Sequence, residues 1–217
     1  MELNFIEFDE KNNCIINNLY GGGNQADVGG NIDVNIISTR IYFNVYVANN
    51  ISGNVSGSII TNIEDSIIGR VYGGGNLAAY NPTTGYSTLN ITSSTIDYVF
   101  GGGLGETATS KDTHVNIRQS TIKNDVYGGG EEGSINNSYV EIDASTVKGS
   151  VYGGGLGTTA TSINTNIIVS REDANNKNII DYNYNWAGVA TEELRNKELI
   201  FTLYEENNLF NEIKTFS

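Results

Sequence analysis

The chain has 217 residues and a net charge of −13, with 12 Lys and Arg against 25 Asp and Glu. Because phosphate recognition needs clustered basic side chains, this charge argues against a nucleic-acid partner, and it disfavours an anionic membrane surface. A single cysteine excludes an intrachain disulfide, and no apolar run approaches the roughly 18 residues of a membrane span, so no span is expected.

The N-terminal residues lack the basic and apolar regions of a signal peptide. The chain is therefore either cytoplasmic or a piece of a longer exported protein, and the repeats described below favour the second. Residues 1–18 are predicted to form the last strands of an incomplete first coil. Cys14 falls in a column of small residues and is predicted to be one of them.

A motif of one aliphatic residue, one aromatic residue and three glycines occurs five times along the chain. A degenerate sixth copy lies at Val45-Tyr46-Val47, halfway across the one double-length gap. The aromatic positions are then separated by 26, 26, 28, 27 and 25 residues. Six registered copies predict a repeat protein. The aromatic residues are Tyr20, Tyr46, Tyr72, Phe100, Tyr127 and Tyr152.

Two further columns support the same register. An aliphatic residue precedes most of the aromatics by five positions, with turn-forming residues such as Gly69-Arg70 between them. Earlier in each coil comes a short alternating segment such as Leu89-Asn90-Ile91, which indicates a strand with one buried face. The predicted aliphatic column is Ile15, Ile41, Ile67, Ile96, Ile122 and Val147.

The repeat length and residue types select one architecture. Leucine-rich repeats need more than the ten leucines present, helical repeats need fewer glycines, and the tightest left-handed coils use shorter turns. Three strands and three turns fit about 26 residues, so we predict an all-β, right-handed parallel β-helix (a β-solenoid) with a C-terminal cap. Coils rising by about 4.8 Å would stack equivalent side chains into ladders.

The end of the chain departs from the pattern. A polar stretch at residues 170–178 precedes a worn copy at residues 180–188, so the solenoid is predicted to occupy residues 1–188 in six to seven coils. In residues 189–217 we predict a short helix starting at Thr191, a strand over 198–204, a turn over 205–208 and a strand over 209–216. These elements would cap the last coil or lead into a further domain.

No convincing catalytic group emerges from the repeats, so we expect a non-enzymatic protein without metal or cofactor. Polysaccharide lyases and hydrolases need converging carboxylates with Arg or Lys nearby, and the scattered acids give no such set. His114 is expected to lie on a surface strand. Glu131 and Glu132 are expected in a solvated acidic loop near Glu106, with calcium binding as an alternative. The acids considered are Asp33, Asp65, Asp112, Glu141 and Asp143, with Arg70 and Arg118 in neighbouring stretches.

The aromatic column is the candidate binding feature. If its six rings face outward beside the glycines, they form a strip that could stack on sugar rings or hold a protein partner. If they face inward, they form an internal ladder and the neighbouring Val or Leu lies at a corner or outside. Both orientations stay open at this point.

The repeated Val-Tyr-Gly-Gly-Gly run, with a Ser-Thr-Ile-type segment before it, resembles the repeats of large bacterial surface and secreted β-helix proteins, including adhesin-like proteins of gut bacteria. The resemblance covers residues 8–188. It implies an extracellular or cell-surface module that binds a glycan or a host or matrix partner. The alternatives are a polysaccharide-active enzyme and a structural stalk or fibre segment.

Overall fold

The structure is a computed structural model that describes residues 14–170 and three short strands beyond them. The described residues form strands and their connections, with no helix among them. The strands are β1 (Ile15–Tyr20), β2 (Ile32–Ile37), β3 (Arg40–Tyr46), β4 (Ile59–Glu64), β5 (Ile67–Tyr72), β6 (Ser87–Thr92), β7 (Thr95–Phe100), β8 (Ser110–Arg118), β9 (Thr121–Ile122), β10 (Val126–Tyr127), β11 (Ile135–Asp143), β12 (Thr146–Val147), β13 (Val151–Tyr152), β14 (Ser162–Ser170), β15 (Tyr182–Tyr184), β16 (Leu203–Glu205) and β17 (Asn208–Phe210).

Two parallel sheets run along the molecule. The first contains β1, β3, β5, β7, β10 and β13 in that order, with β9 and β12 beside them, and the second contains β2, β4, β6, β8, β11 and β14. Each strand pairs with its equivalent one coil away, so the predicted parallel β-solenoid is confirmed. Tyr20 pairs with Tyr46 and Tyr46 with Tyr72, which also confirms the degenerate second copy.

The third side of the coil differs from the expected strand. Among the described residues it carries the isolated bridges Val28–Val55 and Tyr80–Ser110, and the column of Ser110 continues through Ile135 and Ser162 at the starts of β11 and β14. The glycine triplets lie on this side and stack backbone on backbone: the N–H of Gly101 donates to the carbonyl of Tyr127 at 2.8 Å. A Cβ on Gly101 would overlap the carbonyl oxygen of Gly128 and stand 2.8 Å from the Thr113 hydroxyl, so close approach explains the glycines.

The core lies between the two sheets and consists mainly of Ile and Val side chains. Ile59, Ile96 and Val99 are fully buried, as the alternation of each strand requires. The aliphatic column of the first sheet passes through Ile16 and Ile68, so the predicted positions Ile15 and Ile67 are wrong by one residue. The cause is a difference in spacing: this column stands four residues before the aromatic in β1, β5 and β7.

A serine ladder forms the corner between the sheets. Each hydroxyl accepts the N–H of the equivalent residue in the preceding coil at 3.0–3.1 Å and donates to the carbonyl two residues earlier. The residue before each serine has a positive φ, near 47° at Asp65, which turns the chain from one sheet into the next. The ladder residues are Ser66, Ser94, Ser120 and Ser145.

The chain divides into two compact units, residues 1–186 and 187–217. At the end of the first unit, β15 pairs antiparallel with β14, whereas a further coil would be parallel. In the described part of the worn copy, β15 therefore covers the edge of β14 instead of forming a further coil. In the second unit, β16 and β17 form an antiparallel hairpin within the predicted strand-turn-strand region. The predicted helix at Thr191 lies outside the described residues.

Candidate binding groove

The aromatic column lies on the outer face of the first sheet, opposite the core. Val71 and Val99 point into the core, so the aromatic that follows each of them belongs to the other face. The rings stack at centroid distances of 4.9–5.2 Å. Four of them are buried by one another and by Tyr98 and Leu104, forming a cluster separate from the core: Tyr46, Tyr72, Phe100 and Tyr127.

Stacking leaves the inner four rings without open faces. Tyr20 and Tyr152, at the two ends, are 38% and 46% exposed. The column is therefore neither the internal ladder nor the open strip considered from the sequence. Burial raises the pKa of Tyr46 to about 12, and burial together with Asp125 raises that of Tyr127 to about 12. Whether the column contributes to binding stays a prediction.

A β-bulge in β3 carries two aromatic side chains outward. Tyr42 and Phe43 together face the single residue Gly69 of β5, because the register shifts between Ile41 and Asn44. A Cβ on Gly69 would overlap the carbonyl oxygen of Phe43, so glycine lets the bulged backbone approach. Tyr42 and Phe43 are 41% and 57% exposed.

Arg70 lies beside the bulge and is fixed by three groups. Its Nη1 lies 3.2 Å from both carboxylate oxygens of Glu131 and 3.4 Å from the Tyr72 hydroxyl. Its guanidinium carbon is 5.2 Å from the ring centroid of Tyr98, a cation–π distance. Glu131 also accepts a hydrogen bond from Tyr72. Burial and the bond to Glu131 raise the pKa of Tyr72 well above its usual range.

These elements surround an open groove of about 500 Å³ on the outer face of the first sheet. Its two charged lining residues have partners of opposite sign, Arg70 with Glu131 and Asp97 with Lys123 at 2.9 Å. Exposed rings beside fixed polar groups are the usual composition of a ligand site. The lining residues are Asn18, Tyr42, Phe43, Asn44, Gly69, Arg70, Tyr72, Asp97, Tyr98 and Leu104.

Of the six predicted aromatic residues, the structure places Tyr72 in this groove. The bulge and the pair of Arg70 with Glu131 were missed by the sequence reasoning. The bulge had one signal, which other coils share: Tyr46 stands five positions after Ile41 and Tyr72 four after Ile68, but Tyr127 also stands five positions after Ile122. The pair had none, because its partners are 61 residues apart and belong to different coils.

The other candidate residues lie apart from the groove. Asp143 pairs with Arg118 of the neighbouring strand at 2.9 Å. His114 stacks on Tyr86 with centroids 4.3 Å apart, and burial lowers its pKa. Cys14 is exposed.

Within residues 14–170 and the three later strands, no group of three or more His, Cys, Asp or Glu comes together as a metal site. Glu131, expected in a solvated loop, instead pairs with Arg70. In the described part of the chain, no helix has the length and apolarity needed to cross a membrane.

The described residues thus form a parallel β-solenoid that carries a groove on the outer face of its first sheet. Comparison of the chain with protein-family models, with curated proteins and with solved structures finds no match in any of the three.

Proposed function

We propose that this chain is a non-catalytic β-solenoid module of a bacterial surface or secreted adhesin-like protein, and that it binds a glycan in the groove. The observation that carries the proposal is the pair of exposed rings at the bulge, Tyr42 and Phe43, beside the fixed side chain of Arg70. Sugars present apolar C–H faces that stack on aromatic rings and hydroxyls that pair with fixed polar groups. The resemblance of the repeats to surface β-helix proteins supports an exported location.

A binding module fits the chemistry of the groove better than an enzyme. A lyase or hydrolase needs a group poised to take up a proton near neutral pH. The carboxylates beside the groove are each held in an ion pair, Glu131 with Arg70 and Asp97 with Lys123, and the raised pKa of Tyr72 keeps its phenol protonated.

The test is binding of the purified chain to a glycan array, with one matched control. Phe43→Ala and Tyr42→Ala should each reduce binding by about tenfold or more, because each removes a stacking surface. Tyr86→Ala is the control, since Tyr86 is a 47% exposed aromatic that does not line the groove. Equal binding by all variants would remove the groove from the proposal.

A further variant separates the groove from the aromatic column. Tyr152→Ala removes the more exposed end of the column without touching the groove lining. Loss of binding in this variant, with Phe43→Ala unaffected, would place the site on the column. Absence of binding by the wild-type chain to any glycan would refute the glycan proposal.

A further inference from the structure

The guanidinium of Arg70 uses only part of its hydrogen-bonding capacity within the protein. Arginine carries five N–H donors on three nitrogens. Its hydrogen bonds to Glu131 and Tyr72 all involve Nη1. Among the described residues, Nε and Nη2 have no hydrogen-bond partner, while the side chain is 43% exposed and lines the groove. Arg70 thus has donors available for a ligand.

The position of these donors is fixed before any ligand arrives. Glu131 belongs to the coil that contains β10, two coils beyond Arg70, so it joins side chains across the intervening coil. The Tyr72 hydroxyl lies 3.4 Å from the same Nη1, and the Tyr98 ring centroid lies 5.2 Å from the guanidinium carbon. A side chain fixed in this way loses less conformational entropy on binding.

Glu131 also sets the charge that a ligand meets. Its carboxylate oxygens lie 3.2 Å from Nη1 and balance the positive charge of Arg70. A carboxylate on the ligand that approached Arg70 would also approach its partner Glu131, and like charges in close contact disfavour binding. Sugar hydroxyls need the hydrogen bonds alone and meet no such repulsion.

We propose that Arg70 determines the specificity of the groove by donating hydrogen bonds from Nε and Nη2 to an uncharged glycan. Glu131 disfavours acidic glycans because its carboxylate neutralises the positive charge of the Arg70 guanidinium. This inference rests on the proposed glycan-binding function and names the ligand class of the same groove.

The experiment compares neutral glycans with uronates of identical linkage, mannan with mannuronan and glucan with glucuronan, on wild-type protein and two variants. Glu131→Gln should raise the ratio of uronate affinity to neutral-glycan affinity by about tenfold, because the positive charge of Arg70 is then free to attract the ligand carboxylate. Glu132→Gln is the matched control, because Glu132 accepts a hydrogen bond from Thr159, whereas the partner of Arg70 is Glu131. Its ratio should equal that of the wild type.

The outcomes separate this inference from the proposed function. A wild-type preference for uronates, or equal ratios for both variants, would overturn the specificity inference while glycan binding itself stands. If the wild type binds neither glycan class, the proposed function and its ligand fail together. The positioning role is tested without ligand by the side-chain ¹⁵Nη signals of Arg70, because Glu131 bonds Nη1. Glu131→Gln should shift them and speed their hydrogen exchange, and unchanged signals would overturn the role of Glu131.

Discussion

Replacing one glycine of the stacked triplets tests the packing logic of the coil. In Gly101→Ala, the added Cβ would overlap the carbonyl oxygen of Gly128 in the next coil. It would also stand 2.8 Å from the hydroxyl of Thr113, which donates to that same carbonyl at 3.0 Å. The carbonyl belongs to rigid stacked backbone, so neither neighbour can move away cheaply.

The magnitude follows from two effects. Overpacking a well-filled interior costs about 1–3 kcal/mol. Pushing the coils apart also weakens the backbone bonds from Gly101 to Tyr127 and from Gly102 to Gly129, at about 0.5–1.5 kcal/mol each. We therefore expect Gly101→Ala to lower the free energy of unfolding by about 2–6 kcal/mol.

The assay is urea unfolding followed by circular dichroism, with Gly29→Ala as the matched control. No atom lies within 4 Å of a Cβ built on Gly29, and its φ is not positive, so the control should be neutral or slightly stabilising. Native-state hydrogen exchange should place the weakening in the coils that flank Gly101, since solenoid coils couple mainly to their neighbours. Agreement of the two variants within about 0.5 kcal/mol would refute the close-approach explanation of the triplets.

Three further predictions concern the corner and the buried Tyr80. Ala144→Gly should stabilise the protein by up to about 1 kcal/mol in urea unfolding, because Ala144 has a φ of 45°, which glycine adopts without strain. The control is Ala79→Gly, which should not stabilise the protein because Ala79 has no positive φ. Ser94→Ala should cost about 1–3 kcal/mol, since it leaves a buried N–H without its acceptor, whereas exposed Ser93→Ala should cost far less. Burial raises the pKa of Tyr80 from 10.0 to about 12. The unfolded chain therefore ionises first, so the stability linked to Tyr80 is complete below pH 10 and is lost between pH 10 and 12, and Tyr80→Phe should flatten that loss in unfolding midpoints measured against pH.

Features that follow from the repeat period can be predicted from the sequence, whereas features that depend on a shift of one residue or on a contact between distant coils cannot. The spacing of the aromatics is sufficient to identify the coil and the degenerate copy at Tyr46. The choice between Ile67 and Ile68 is not decided by residue type, because both are β-branched and apolar, while the strand alternation places only Ile68 in the core column. Contacts such as Arg70 with Glu131 depend on how the segment after the glycine triplet folds back, and no periodic pattern encodes that path.

The repeated motif and the proposed site have different physical origins. Residues that repeat are held by their equivalents above and below, and Tyr72 and Phe100 illustrate the result: each ring face is covered by the next ring. In an uninterrupted ladder the ring faces are therefore buried and are not available to a ligand. The bulge at Tyr42 and Phe43 breaks the ladder, so these rings have no equivalents to cover them. In a solenoid of this kind, binding residues are therefore best sought where the coil length or the register departs from the repeat.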